Sequence, residues 1–223
     1  MRINKYVAIA SGMSRRAADK AIEQGRISIN GRSASIGDIV GAEDIILLDK
    51  NKLETQQSLT IIFNKPPGYV VSRNGQGSPT IYQLLESKYQ LLKPVGRLDK
   101  DSSGLLLMTN NGELANQLTH PRYAKTKVYE ITLDKPLAPL HQQMINDRGI
   151  QLGDGISKLS LHKTDDSGLN WQVTMTEGRN RQIRRTFAAL GYEVNKLHRI
   201  EFGQYKLASL MPGKLKAIHS IDS

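Results

Sequence analysis

Apolar positions recur along this chain with two different periods, and the change of period divides it into two parts. Ile3, Tyr6, Val7 and Ala10 fall at helical spacing, and Gly12 is placed to end that helix. Ser14 is positioned to cap a second helix with Ala17, Ala18, Ala21 and Ile22 on its inner face, and Gly25 closes it. Ile27 and Ile29 alternate as in a strand, Asn30-Gly31 signals a tight turn, and residues 45–48 form another strand-like run. The pattern predicts a helix–helix–strand module over residues 1–48. Residues 49–58 are polar and aperiodic, the signature of a linker.

From residue 59 to residue 223 a second domain is expected, and most of its periodicity is that of strands. A strand over 59–63 leads into Lys65-Pro66-Pro67-Gly68, which reads as a rigid turn, and a short helix is expected over 79–85. The run Leu105-Leu106-Leu107-Met108 predicts a buried strand. Asn110-Asn111-Gly112 turns the chain into a helix over 113–118, which His120-Pro121 stops. Residues 125–133 alternate, with Tyr129, Ile131 and Leu133 on one face and Val128, Glu130 and Thr132 on the other. More strands are expected over 150–176. Ile183, Phe187 and Leu190 then mark an amphipathic helix with Arg181, Arg184 and Arg185 on its opposite face. Cations at a helix start oppose the helix dipole. Such a cluster calls for an anion, either RNA phosphate or a carboxylate from elsewhere in the chain; a solvated basic face is the simpler alternative.

Charge sharpens the picture. The net charge is +10, which points to a polyanionic partner. Residues 1–35 hold seven cations (Arg2, Lys5, Arg15, Arg16, Lys20, Arg26, Arg32) against Asp19 and Glu23, a net of +5. No apolar run approaches the roughly 20 residues of a membrane span, and the start of the chain lacks the apolar core of a signal peptide, so no membrane association and a cytoplasmic location are expected. The absence of cysteine excludes disulfides, thiolate nucleophiles and Cys₄ zinc sites. Five scattered histidines show no ligand spacing, and no metal is expected.

The chemistry-bearing stretch is Gly96-Arg97-Leu98-Asp99-Lys100-Asp101-Ser102-Ser103-Gly104. It places Asp99 between two cations, beside the predicted core strand, on a segment bracketed by glycines. An acid held on a tight loop beside a strand suits a nucleophile or general base. Spacing alone equally suits a solvated turn residue.

Two resemblances narrow the choice. Arg2-Ile3-Asn4-Lys5-Tyr6, Ser14-Arg15-Arg16-Ala17-Ala18 and Gly25-Arg26-Ile27-Ser28-Ile29-Asn30-Gly31 together resemble the S4 RNA-binding domain. That resemblance implies binding of structured RNA through Arg2, Lys5, Arg15, Arg16 and Arg26; docking on an acidic protein is the alternative. Gly96-Arg97-Leu98-Asp99 with Asp101, then Lys127-x-Tyr129, then Gly178-Arg179-Asn180-Arg181-Gln182-Ile183-Arg184 occur in the order and rough spacing of the pseudouridine synthases. The chain is similar to the small-subunit-type branch of the ribosomal RNA enzymes, which carries an S4 module ahead of the catalytic domain. Gly112-Glu113-Leu114-Ala115-Asn116 before His120-Pro121 resembles the members acting on large-subunit RNA.

The resemblance implies an α+β fold, a small module followed by a mixed, mainly antiparallel sheet with flanking helices around a cleft. It also implies isomerisation of a uridine in ribosomal RNA, free or in a pre-ribosomal particle, by a monomer without a cofactor. Asp99 matches the catalytic aspartate, which attacks the base or the sugar or removes the 2′ proton. Tyr129 matches the tyrosine that packs on the target base. Arg184 matches the basic residue that pairs with the aspartate. Arg97 supports the loop or fills the place of the extruded base, Leu197 lines the pocket, and Lys127, Arg179 and Arg181 belong to the substrate-contacting motifs. The competing reading is a non-catalytic RNA-binding assembly factor on the same scaffold.

Overall fold

The computed structural model describes residues 1–55 and 57–218. The chain divides into two compact units, residues 1–59 and 60–219, and each is taken by itself.

In the first unit, α1 (Ile3–Ser11) ends at Gly12 with a left-handed φ of 76°. The Ser14 side chain accepts from the backbone N–H of Ala17 and so caps α2 (Arg15–Glu23). Ala18, Ala21 and Ile22 are buried as the spacing predicts, whereas Ala17 lies exposed in the first turn. β1 (Ile27–Ile29) turns through Asn30 and Gly31, both at positive φ, into β2 (Arg32–Ser33). β3 (Ile46–Leu48) pairs with β1 on its other side. A core of Ile3, Val7, Ala18, Ile22, Ile27 and Ile46 joins the helices to this sheet.

The segment expected to be a linker begins as structure. Asp49 and Lys50, both at positive φ, turn the chain into β4 (Asn51–Lys52), which pairs with β3. Leu53 packs on the module's core, and its carbonyl accepts from the Tyr6 hydroxyl at 3.0 Å. Polar composition concealed the hairpin because both of its strand residues are exposed.

The second unit is built on β5 (Thr60–Lys65), β6 (Lys93–Val95), β7 (Ser103–Thr109), β8 (Lys127–Leu133), β9 (Ile150–Leu152), β10 (Gly155–Ser157), β11 (Ser160–Lys163), β12 (Asn170–Met175), β13 (Val194–Phe202), β14 (Tyr205–Lys206) and β15 (Leu215–Ile218). Its helices are α3 (Gly112–Thr119), α4 (Pro139–Gln143) and α5 (Gln182–Ala188). The main sheet runs β11-β12-β8-β13-β7-β5-β15, with β6 added to β7 and β14 to β13. Among the described strands of this sheet, β13 and β7 alone pair in parallel, so the sheet is mixed and mainly antiparallel.

Leu105 to Met108 are fully buried, as a central strand covered on both faces requires. Leu105, Leu107, Leu118 and Phe202 share one cluster, which brings α3 onto one face of the sheet. The segment 81–84 is a 3₁₀ turn in place of the expected helix. The strand read as ending at Phe63 continues through Asn64 and Lys65, both buried. β9 and β10 form a separate hairpin.

Candidate active site

Residues 96–102 connect β6 to β7 at the centre of the sheet. The loop turns at Gly96, with φ 73°, and closes through a 3.1 Å bond from the Ser102 N–H to the Asp99 carbonyl. It re-enters the sheet at Gly104, where an added Cβ would stand 2.3 Å from the carbonyl oxygen of Arg199. Only glycine lets β7 and β13 approach so closely there.

Lys65 holds this loop from beneath. Its side chain is fully buried at the end of β5. Its Nζ donates to the carbonyls of Pro66 at 3.0 Å, Asp99 at 3.1 Å and Ser102 at 2.7 Å. Burial lowers the Lys65 pKa to about 8, against the opposing pull of the Asp101 and Asp99 carboxylates. The sequence offered little warning, because Lys65-Pro66-Pro67-Gly68 has the composition of a surface turn. The one available sign was its position, directly after an apolar strand.

The arginines sort differently from the expected pairing. Arg181 precedes α5 in a left-handed conformation, φ 46°, which swings it off the helix face. Its guanidinium forks onto Asp101 at 3.1 Å to each oxygen, and its Nη1 lies 3.6 Å from Asp99 Oδ2. Arg184 does not pair with Asp99: its Nε lies 3.3 Å from Asp101 Oδ2, and its Nη1 donates to the Val194 carbonyl. Burial alone would raise the Asp101 pKa, but the hydrogen bond from Arg181 and the charges of Arg184 and Arg181 hold it below the usual value.

Arg185 forks onto Asp154 at 3.0 and 2.8 Å. Arg179 donates to the carbonyls of Asp154, Gly155 and Ile156, gripping the turn between β9 and β10. Expected among the substrate contacts, Arg179 has its guanidinium engaged by this hairpin. The anions that answer the cationic cluster are thus carboxylates from elsewhere in the chain.

Above the loop opens a cleft of about 540 Å³. Asp99, Tyr129, Leu197, Lys127, Arg181 and Arg199 all contribute to its wall. Tyr129 and Leu197 are buried there. Lys127 spans from β8 to the end of β12 by donating to the Glu177 carbonyl at 3.2 Å; burial, and then the charge of Arg199, lower its pKa. Arg97 is exposed and borders both this cleft and a second cavity of about 420 Å³. Arg179 reaches the cleft wall, whereas Arg184 is not among its lining residues.

The arrangement presents a carboxylate on a pinned loop, an aromatic ring and an apolar side chain to one cavity of nucleotide scale. Residues 59–189 match the family model described as RNA pseudouridylate synthase, and residues 1–46 match that of the S4 domain. The chain belongs to the RNA pseudouridylate synthase family.

Relatives within this pseudouridylate synthase family match over nearly the whole chain. An uncharacterized RNA pseudouridine synthase of Aquifex aeolicus is 36% identical over 98% of this chain and 90% of its own length. The ribosomal large subunit pseudouridine synthase B of Bacillus subtilis is 35% identical over 97% of this chain and 91% of its length. A dual-specificity RNA pseudouridine synthase of Salmonella typhi is 34% identical over 96% and 74%. A solved pseudouridylate synthase structure superposes with a TM-score of 0.70 at 32% identity, covering 98% of this chain and 96% of that one.

As a member of this family the chain catalyses the isomerisation of uridine to pseudouridine. Besides Lys65, inspection of the sequence missed Arg199, a buried arginine in the wall of this synthase's cleft. Nothing in the sequence signalled it, because register shifts at Val194/Lys196 and Arg199/Glu201 break the alternation of β13.

In the S4 domain, Arg2 and Arg16 are exposed, and Arg15 donates to the Asn4 side chain at 3.3 Å. Lys5 is half-buried on α1. Arg26 is held by Asp49, with Nε at 2.9 Å from Oδ1, so one of the five expected phosphate contacts already carries a protein anion.

Proposed function

We propose that this chain isomerises one uridine of ribosomal RNA, in the large subunit, to pseudouridine, acting as a cytoplasmic monomer on free RNA or a pre-ribosomal particle. The observation that carries the reading is Asp99, pinned through its own carbonyl by Lys65 while its carboxylate stands in the same cleft as Tyr129. The curated names of the Bacillus subtilis and Salmonella typhi relatives support an RNA substrate, and the former supports the large subunit.

In this reading the target uridine leaves its stack and enters the cleft. Flipping costs on the order of a few kcal/mol, less at an unpaired position. Stacking on Tyr129 returns about 1–3 kcal/mol, and Leu197 closes the apolar side. Asp99 is the group that acts on the nucleotide so that the bond to N1 breaks and a bond to C5 forms. Arg181 is the cation nearest the Asp99 carboxylate, at 3.6 Å. Arg184 supports the site through Asp101. Arg97, at the mouth, supports the loop or occupies the space the base vacates. Lys127 fixes the cleft wall, and Arg2, Arg15 and Arg16, exposed in the S4 domain, contact phosphate.

The test is to map pseudouridines in ribosomal RNA from cells carrying the wild-type protein, the Asp99→Asn variant, or no protein. One site should vanish in the last two and persist in the first. An unchanged map across all three would overturn the proposal.

A further inference from the structure

Arg199 is 2% exposed, and its guanidinium makes no ion pair among the described residues. Its Nε donates to the Leu105 carbonyl at 2.8 Å, and its charge lies 5.0 Å from the Phe202 ring centre and 6.0 Å from that of Tyr129. Its Nη2 is shut away from solvent and has no hydrogen-bond partner among the described residues. A buried cation without a counter-charge is costly, and a buried donor without an acceptor adds to that cost. The other cations held inside this site each meet several acceptors or an anion: Lys65 three carbonyls, the half-buried Arg179 a turn, the half-buried Arg184 the Asp101 carboxylate. Arg179, also in the cleft wall, leaves its Nε unpartnered but is tied by its other nitrogens to the hairpin. Arg199 lines the cleft with a free Nη2 and, among the described residues, no ion pair.

Position decides what the spare donor meets. Arg199 stands directly across from Tyr129 in the pairing of β13 with β8, so the two side chains share a sheet face. It is deeper than the exposed Arg97 and Lys100. A ligand group that meets the Arg199 donor must therefore enter the cleft as far as Tyr129, as a base turned out of its stack would. Resting on the functional reading above, we propose that Arg199 is a substrate-contacting residue that donates to a carbonyl oxygen of the target uracil and holds the negative charge of the base while it is detached.

The charge balance is simple. For either route in which Asp99 acts on the sugar, the C1′–N1 bonding pair leaves with the base. The uracil becomes an anion spread over N1, O2 and O4. The counterpart is a sugar bonded through C1′ to the Asp99 oxygen, or a glycal whose 2′ proton Asp99 has taken. When C5 bonds to C1′, the Asp99 bond or the glycal double bond is consumed and any 2′ proton is returned. C5 then loses its proton, N1 gains one, and the net change is isomerisation. Arg199 keeps its charge throughout, and a fixed donor aimed at developing charge in a dry site is worth far more than in water.

The experiment uses the full chain and a synthetic ribosomal RNA hairpin containing the mapped uridine, with uridine, 2-thiouridine or 4-thiouridine at that position. Sulfur is a weaker acceptor than oxygen. Single-turnover rates are measured for wild type, Arg199→Lys and Arg199→Gln, with thermal melts and RNA binding alongside. One of the two thio substitutions should slow wild type by about tenfold or more, the scale of one well-placed hydrogen bond. Arg199→Gln should lose about a hundredfold in rate with RNA affinity within threefold, and should no longer discriminate that thio RNA from the uridine RNA. Arg199→Lys should recover part of the rate. If neither thio RNA slows wild type beyond threefold, the inference is overturned even where both variants fail to fold. Equal thio effects in wild type and Arg199→Gln overturn it too. Wild-type turnover of the uridine RNA separately tests the functional reading, so the two failures are distinguishable.

Discussion

Arg181, not Arg184, is the cation nearest the Asp99 carboxylate, at 3.6 Å, and both arginines converge on Asp101. Arg181→Met should therefore lower the single-turnover rate by about tenfold or more while the fold persists. Arg184→Met, which releases both Asp101 and the Val194 carbonyl, should also lower the melting temperature. A double-mutant cycle of Arg181→Met with Asp101→Asn should show coupling of about 0.5–3 kcal/mol in activation free energy. Additive effects would show that the fork does not serve the site.

Asp99→Asn should abolish turnover to below about a thousandth of wild type, since a missing nucleophile or base costs at least that much. RNA affinity and the melting curve should stay near wild type, because the loop is held through the Asp99 carbonyl. Single-turnover formation of pseudouridine is the readout.

Lys65 makes stability depend on alkaline pH. Folded, it loses its proton at about 8 in place of its ordinary 10.5. The unfolded chain thus binds more protons between those values, and stability rises with pH across that window. The cost of burying the ammonium is fully present below about pH 8 and fades toward pH 10. Urea midpoints of wild type relative to Lys65→Met should shift in favour of wild type from pH 8 to pH 10. The methionine variant should also turn over at least tenfold more slowly, because the carbonyls of Asp99 and Ser102 lose their donor. A pH-independent difference between the two proteins would contradict the assignment.

Arg185→Met should leave the salt dependence of RNA binding unchanged and reduce thermal stability slightly, because Arg185 is forked onto Asp154. Asp154→Asn, which also releases Arg179 from the same carboxylate, should cost more, and the double variant should be no worse than Asp154→Asn alone. Melting curves and a salt series of RNA binding decide it.

In the S4 domain, Arg16→Gln should flatten the salt slope of RNA binding by roughly 0.7 to 0.9 log units per log unit of salt, one phosphate contact. Arg26→Gln should flatten it less, because Asp49 already occupies that guanidinium. Equal slopes for Arg16→Gln and wild type would remove Arg16 from the contact set.

The chain alone determined the two-part organisation, the helices of the first unit and the buried central strand. Each of these follows from local periodicity and local turn chemistry: the Ser14 cap, the left-handed Gly12, four consecutive apolar residues at 105–108. Motif spacing likewise brought Asp99, Tyr129 and Leu197 to notice, and they share a cleft. Tertiary structure decided which charge meets which. Arg181 turns off its helix face through a positive φ, Arg184 reaches Asp101 across more than eighty residues of chain, and Arg179 and Arg185 meet a hairpin turn. It also decided that Lys65 and Arg199 are buried, which depends on which strands flank β5 and β13. Hydrogen bonds and ion pairs act over a few ångströms in space without regard to sequence distance. A one-dimensional pattern therefore places the cations at the site but leaves their partners to the folded sheet.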